Sequence, residues 1–334
     1  MNPRVISPDE GGLIMNTPVV RGLAAVAVVV ALLVALSTTA SATSQSAPAG
    51  PGVLFGAYVN PANVWSQSGR ESTVASLESA LGRPLDISHV YDSWNQSLPD
   101  WETKWNDASG RTTLISWSHA PVSPVVSGSE DAYIRSVADG LKALSHPVML
   151  EYFWEMDLHR YDTATVSPAN FIAAWRHIHD IFVAEGATNV EFVWCPSAYG
   201  YITGTAQKYY PGASYVDWIC ADGYNWGSVK PQKNQTFWSI FKGMYAFGLP
   251  TGKPLMVGEF GTAESTPGGR AAWFNDLVST LPTMPAIKAV VYFDSLDTKH
   301  NWDWRVLQSN GSWSAFRAMA QNPYFNTTGR LAGS

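Results

Sequence analysis

Eight short apolar runs, each followed by a stretch of different character, constrain this chain more than any other feature. They fall at about 53–59, 85–91, 112–117, 147–154, 189–194, 216–221, 254–259 and 287–293. Most are continuous rather than alternating, the pattern of parallel strands covered on both faces. Between them lie helix-like segments at 71–81, 130–144, 167–182, 235–246 and 269–281, with a last one at 312–320. The segment at 167–182 is the clearest, with Ser167 as cap, Pro168 in the first turn and Gly186 just past the end. Eight strands alternating with helices predict an α/β chain with one domain, a (β/α)8 TIM barrel over residues 53–325. The competing open, doubly wound sheet usually carries a glycine-rich phosphate turn after its first strand. Here Asn60, Pro61, Ala62 and Asn63 stand at that place.

The N-terminus reads as an export signal. Arg21 precedes an unbroken run of Leu, Ala and Val at 23–36, and Ala40-Ser41-Ala42 offers a small-x-small cleavage site. A membrane span needs about 20 apolar residues, so the run is short for one. Residues 1–42 are expected to be a signal peptide, with Met15 a possible true start, and 43–52 a small, polar, turn-rich linker. The expected location is secreted and extracellular; the alternative is anchoring by an uncleaved N-terminal segment. Charged residues make up only 14% and the net charge is −6 without a Lys/Arg cluster, which disfavours nucleic acid as a partner. No membrane partner beyond export is expected, and the chain is expected to be a monomer. The 15 Trp suit a protein that packs flat rings against sugar faces. Cys195 and Cys220 end consecutive strand-like runs, so a disulfide and two buried thiols both remain open.

In a barrel, side chains at strand C-termini face the functional mouth. The ends here carry Tyr58 and Asn60; Tyr91, Ser93 and Trp94; Trp117 and His119; Trp154 and Glu155; Trp194; Asp222, Tyr224 and Trp226; Glu259; Tyr292 and Asp294. Two of these are carboxylates that close apolar runs, Glu155 and Glu259. Alternation along a strand groups Glu155 with Phe153 and Glu151, and Glu259 with Val257 and Leu255, a register read as pointing both glutamates into the mouth. Paired carboxylates across a cleft are what cleavage of a glycosidic bond needs. Glu151 adds a third acid, read as a buried partner for a cation or as a like charge acting on Glu155.

The pieces EMD at 155–157, AWRHIHD at 174–180, NVEFVWCP at 189–196, YYPGASYVDW at 209–218, DGYN at 222–225, GEFG at 258–261 and WDWR at 302–305 occur in an order and spacing that resemble glycoside hydrolase family 26. That resemblance implies a retaining endo-β-glycanase, foremost an endo-1,4-β-mannanase. The alternatives are the same mechanism on β-glucan, β-xylan or a cell-envelope polysaccharide, or an inactive carbohydrate-binding barrel. It implies Glu155 as acid/base, Glu259 as nucleophile and Tyr224 as hydrogen-bond partner of the nucleophile. His119, Trp117, Trp154, Asp157, Trp226 and Trp302 are the expected sugar-binding residues. A polysaccharide or oligosaccharide is the expected partner; no cofactor and no metal is implied. The family's mannanases usually carry Arg four before the acid/base, His just before it and Asn two after it. Here those positions hold Glu151, Trp154 and Asp157.

Overall fold

The computed structural model describes residues 52–118, 121–158, 166–227, 234–266, 268–298, 302–306 and 311–325. Eight parallel strands form the wall: β1 (Leu54–Asn60), β2 (Ile87–Asp92), β3 (Thr112–Trp117), β4 (Val148–Tyr152), β5 (Val190–Trp194), β6 (Trp218–Asn225), β7 (Leu255–Thr262) and β8 (Ile287–Asp297). They pair in sequence order, and β8 returns to β1 in register from Leu54↔Ala289 to Asn60↔Ser295, which closes the barrel. A two-residue strand, β9 (Trp302–Asp303), runs antiparallel to the outer end of β8. The (β/α)8 expectation therefore holds.

Helices α1 (Gln67–Leu81), α2 (Trp101–Ala108), α3 (Val122–Ser127), α4 (Asp131–Lys142), α5 (Pro168–Glu185), α6 (Ala198–Thr203), α7 (Phe237–Gly248), α8 (Gly269–Thr280) and α9 (Trp313–Gln321) lie between and after the strands. Their ends follow local chemistry. Ser66, Ser167, Ser197 and Thr236 each accept a bond from a backbone N–H of the first turn, and Gly82 and Gly186 close α1 and α5 in the left-handed conformation. The short helices α2, α3 and α6 escape the sequence reading because six to eight residues carry too little periodicity.

Two cores result. Leu54, Ile87, Leu114, Met149, Val193, Cys195, Trp218, Cys220, Met256, Ala289 and Val291 fill the barrel interior. The opposite strand faces, such as Phe55, Ile115, Leu150, Phe192, Leu255 and Val257, pack under the helices. Burying one Leu- or Phe-sized side chain contributes about 1.5–3 kcal/mol, so the interface between wall and helices carries most of the stability. Buried arginines fasten the mouth to this frame. Arg70 of α1 pairs with Glu102 at 2.6 Å and also donates to the Val59 carbonyl at the end of β1. Arg270 of α8 donates to the carbonyls of Thr262 (2.7 Å) and Asp303 (2.8 Å), joining β7 to β9.

Asp92, at the end of β2, yields a pH prediction. Burial, and after it the charges of Asp100 and Glu102, push its pKa up to about 8. Its Oδ1 accepts from Gln96 Nε2 at 2.8 Å, while Oδ2 has no partner among the described residues. The folded state therefore holds a proton that the unfolded chain releases near pH 4. The associated stability is complete below that value and declines as pH rises through about 8. Asp92→Asn keeps the acceptor and removes the titration. Its melting temperature is expected to gain on wild type by several degrees between pH 4 and pH 8; parallel curves would show that Asp92 is ionised in the fold.

Candidate active site

The β7 carboxylate reaches the mouth by an irregularity, not by simple alternation. Met256 points into the barrel, whereas Leu255 and Val257 point to the helices. Strict period two would send Glu259 outward with them. The pairing of β7 with β8 shifts between Val257 and Phe260, and that of β6 with β7 shifts between Ala221 and Asp222, which sets Glu259 opposite Asp222. Such bulges re-aim a side chain by one position. Glu259 thus reaches the mouth through the bulge and not through the alternation with Val257 and Leu255 read from the sequence. Its carboxylate accepts short hydrogen bonds from Tyr91 Oη on Oε1 and from Tyr224 Oη on Oε2. Burial first, and then the charge of Glu259, raise both phenols well above their ordinary pKa, so both stay protonated and donate.

Glu155 is delivered differently. β4 stops at Tyr152, not at Glu155 as the sequence suggested. Phe153 (φ 55°) and Glu155 (φ 51°) adopt left-handed backbone, which costs about 1–2 kcal/mol per non-glycine residue. Phe153 turns toward Phe171 of α5, and Trp154 lies 5.3 Å ring to ring from Tyr91. The turn is held from β5: Glu155 N donates to the Cys195 carbonyl at 2.8 Å. Asp157 accepts from Ser197 N and Ser197 Oγ, both at 2.7 Å. Strain at a turn that carries a carboxylate, fixed by its neighbours, is the usual mark of a functional segment.

Beneath the two glutamates lies a floor of acids. Ser116 Oγ donates a short bond to Glu151 Oε2, and His89 Nε2 lies 2.7 Å from the same hydroxyl. Glu151 Oε1 and Asp222 Oδ2 find no partner among the described residues. Burial, followed by other effects that include the charges of Glu259 and Glu155, raises Glu151 well above the carboxylate range; burial and then Glu259 do the same for Asp222. Burial thus favours the neutral form of both acids. The cation expected for Glu151 is not supplied by its nearest basic group, because burial lowers His89 to about 3 and leaves the imidazole uncharged. Cys195 and Cys220 close a disulfide in this floor, which decides the alternative the sequence left open. Ligand atoms of Glu151, Cys195, Cys220 and Asp222 lie within 4.8 Å of one another, but bridged sulfurs have no thiolate to offer a metal.

The other expected site residues divide. Tyr224, Trp154, Trp226 and Trp302 stand at the mouth. Trp226 packs edge-on to Trp302 at 4.5 Å and to Trp304 at 5.1 Å, forming an aromatic wall beside Tyr224. Trp117 does not belong with them. It is fully buried on the helix-facing side of β3, stacked on Trp94 at 4.2 Å, because Leu114 and Ser116 take the inward positions. Asp157 is buried, and its carboxylate accepts the two Ser197 bonds that tie the Glu155 turn to the α6 cap. His119 lies outside the described residues. Tyr91 was named from the sequence as a strand-end residue but given no role; the parity of β2, with Ile87 inward, assigns it to the mouth.

Hydrogen bonds to a charged acceptor contribute about 1.5–3 kcal/mol each. Tyr91→Phe and Tyr224→Phe are each expected to lower kcat of any reaction that uses Glu259 by about 10- to 100-fold at unchanged fold. Wild-type kcat in both would remove the tyrosines from the site's function.

Residues 123–274 match the family described as Glycosyl hydrolase family 26. The chain is 31% identical over 266 residues to Endoglucanase H of Acetivibrio thermocellus, covering 74% of this chain and 29% of that protein. It is 27% identical over 198 residues to Mannan endo-1,4-beta-mannosidase A and B of Caldalkalibacillus mannanilyticus, covering 55% of this chain and 34% of that one. It therefore spans about a third of the length of these curated relatives. Among solved structures, a GH26 β-mannanase from Bacteroides ovatus superposes with TM-score 0.63 at 16% identity, over 84% of this chain and 92% of that one. A modular endo-β-1,4-mannanase from Cellulomonas fimi superposes with TM-score 0.58 at 14% identity, over 82% and 71%. At those identities the structures speak for the barrel alone. With the matched family segment, the curated relatives and the eight-stranded barrel together, the chain belongs to glycoside hydrolase family 26.

Proposed function

We propose that this chain is a retaining endo-β-glycanase in which Glu259 is the nucleophile and Glu155 the general acid/base. The observation that carries this reading is the unequal setting of two carboxyl groups at one barrel mouth. Glu259 is clamped by two phenol donors that favour its ionised form, while Glu155 rides on a strained turn beside Trp154. In the first step Glu259 attacks the anomeric carbon as Glu155 gives its proton to the departing glycosidic oxygen. A glycosyl ester on Glu259 forms and the leaving chain departs as an alcohol. Glu155, now a carboxylate, takes a proton from water; the hydroxyl displaces Glu259, and retained product leaves with both groups restored.

The backbone we assign is β-1,4-mannan, from the motif resemblance and the mannosidase relative. A β-glucan is the second reading, and two observations support it. The relative with the higher identity is named an endoglucanase, and Trp154 stands where the family's mannanases carry His. Mannose and glucose differ at the 2-hydroxyl, next to the bond that breaks. We also propose that residues 1–42 direct export, consistent with a polymeric substrate outside the cell.

Reducing-sugar release from mannan, β-glucan and xylan, with proton NMR of the first products, tests this reading. Hydrolysis with β-anomer formed first is expected. α-Anomer formed first would mean inversion, and no release from any polymer would leave a binding barrel.

A further inference from the structure

The Cys195–Cys220 bridge touches both carboxylate-bearing segments. On one side, the Cys195 carbonyl accepts the backbone N–H of Glu155 at 2.8 Å, the bond that holds the left-handed turn against β5. On the other, the bridge lies against the backbone of Gly258, the residue before Glu259. A methyl group placed on Gly258 would sit 2.5 Å from Cys220 Sγ, 2.8 Å from Cys195 Sγ and 2.9 Å from Asp222 Oδ1. Asp222 completes the contact: its Oδ1 lies 3.2 Å from Cys195 Sγ, and its backbone pairs with Glu259 across the bulge. The outer side is braced too, since Tyr201 Oη donates to the Cys220 carbonyl at 2.7 Å. Both cysteines are fully buried in the barrel interior.

We propose that this disulfide is a positioning element for catalysis, setting the relation of the Glu155 turn to the Glu259 bulge, so that kcat depends on the bridge being closed. The proposal rests on the glycosidase reading above. On its β8 side the Glu259 bulge has no ladder to fix it, because that pairing skips from Val257 to Phe260. Glu259 is therefore placed by its pairing with Asp222 on the β6 side and by what lies behind Gly258. Two separate thiols keep a nonbonded distance and each carries a hydrogen, so they need more room than one bridge. In a layer packed between Gly258 and the acids Glu151 and Asp222, that room comes from moving one carboxylate segment or the other. Displacements of about 1 Å at reacting groups cost about 10²-fold in rate. A bridge that only restrains the unfolded chain would change melting temperature and leave kcat alone.

The test uses purified, oxidised full-length protein and an aryl β-glycoside. Dithiothreitol breaks the S–S bond with two electrons and two protons, giving two thiols and its own cyclic disulfide. Thiol alkylation under denaturing conditions counts the open bridges, and circular dichroism tracks the folded fraction. In the reduced but folded protein, kcat is expected to fall about tenfold or more with KM within about twofold, and reoxidation is expected to restore it. A Cys195→Ala/Cys220→Ala variant leaves the space behind Gly258 empty rather than crowded, so its kcat is also expected to fall, through loss of that support, and it is expected not to respond to dithiothreitol. Reduced, folded protein with kcat within twofold of the oxidised form overturns the proposal, as does a loss of rate that only follows loss of folded protein. Oxidised protein that hydrolyses nothing refutes the glycosidase reading instead, before any reductant is added.

Discussion

Glu259→Ala is expected to lose about 10⁴-fold or more in kcat while keeping its melting temperature within a few degrees of wild type. In the proposed mechanism Glu259 is the group that forms the covalent bond, and its acidic neighbours are poorly suited to replace it. Glu151 and Asp222 are close, but burial above all, with the charges of Glu259 and Glu155 adding to it, favours the neutral form of each. A neutral carboxylic acid is a poor nucleophile. Removing the side chain leaves Tyr91 and Tyr224 with unused hydroxyl donors around a cavity open to the mouth. A small anion fits that description. Added azide is therefore expected to restore turnover of an activated substrate and to leave as a glycosyl azide of inverted configuration, since one displacement now replaces two. Near-normal activity without azide would remove Glu259 from the mechanism.

Glu155→Gln is expected to separate substrates by the basicity of their leaving groups. Proton donation contributes about 10²–10⁴-fold where the departing oxygen is a sugar alkoxide. An aryl glycoside with an acidic phenol departs without that help. The variant is expected to lose most of its rate on polysaccharide and far less in the first step on the aryl substrate. Its second step still lacks a base for water, so a burst of phenol followed by slow turnover is expected. Equal losses on both substrates would contradict the acid/base role. Glutamine is the fitting replacement because it keeps the size of the side chain in a turn fixed by the Cys195 carbonyl and by Asp157.

The barrel was legible because each wall strand is buried on both faces and is written as an apolar run with a helix after it. β2 and β3 keep regular parallel pairing, whereas the alternation read for the strands of Glu155 and Glu259 failed at β4 and β7. β4 ends three residues before Glu155, and two left-handed residues, neither of them glycine, turn the chain there. Nothing in Phe153 or Glu155 as residue types announces positive φ; the turn is imposed by Cys195, Asp157 and Ser197, which come from later in the chain. The β7 bulge is likewise a property of pairing with β6 and β8. Trp117 was misplaced because a tryptophan at a strand end looks alike whether it faces mouth or helices. Its neighbour Ser116, inward and bonded to Glu151, was the better sign of which way the strand turned. The acidic floor was visible as Glu151 and Asp222, but their common contact with a disulfide needed the closed barrel.

In the proposed mechanism Glu259 carries the sugar as a covalent ester while Glu155 handles the proton. Incubation with a 2-deoxy-2-fluoro-β-glycosyl donor bearing a good leaving group tests it most directly, because the fluorine slows breakdown of the ester and lets it accumulate. Mass spectrometry of the digested protein is expected to find one fluorosugar per chain, on the peptide that contains Glu259, with activity lost in proportion. A label on Glu155, on Glu151 or on Asp222, or active enzyme that never becomes labelled and yields inverted product, would contradict the account.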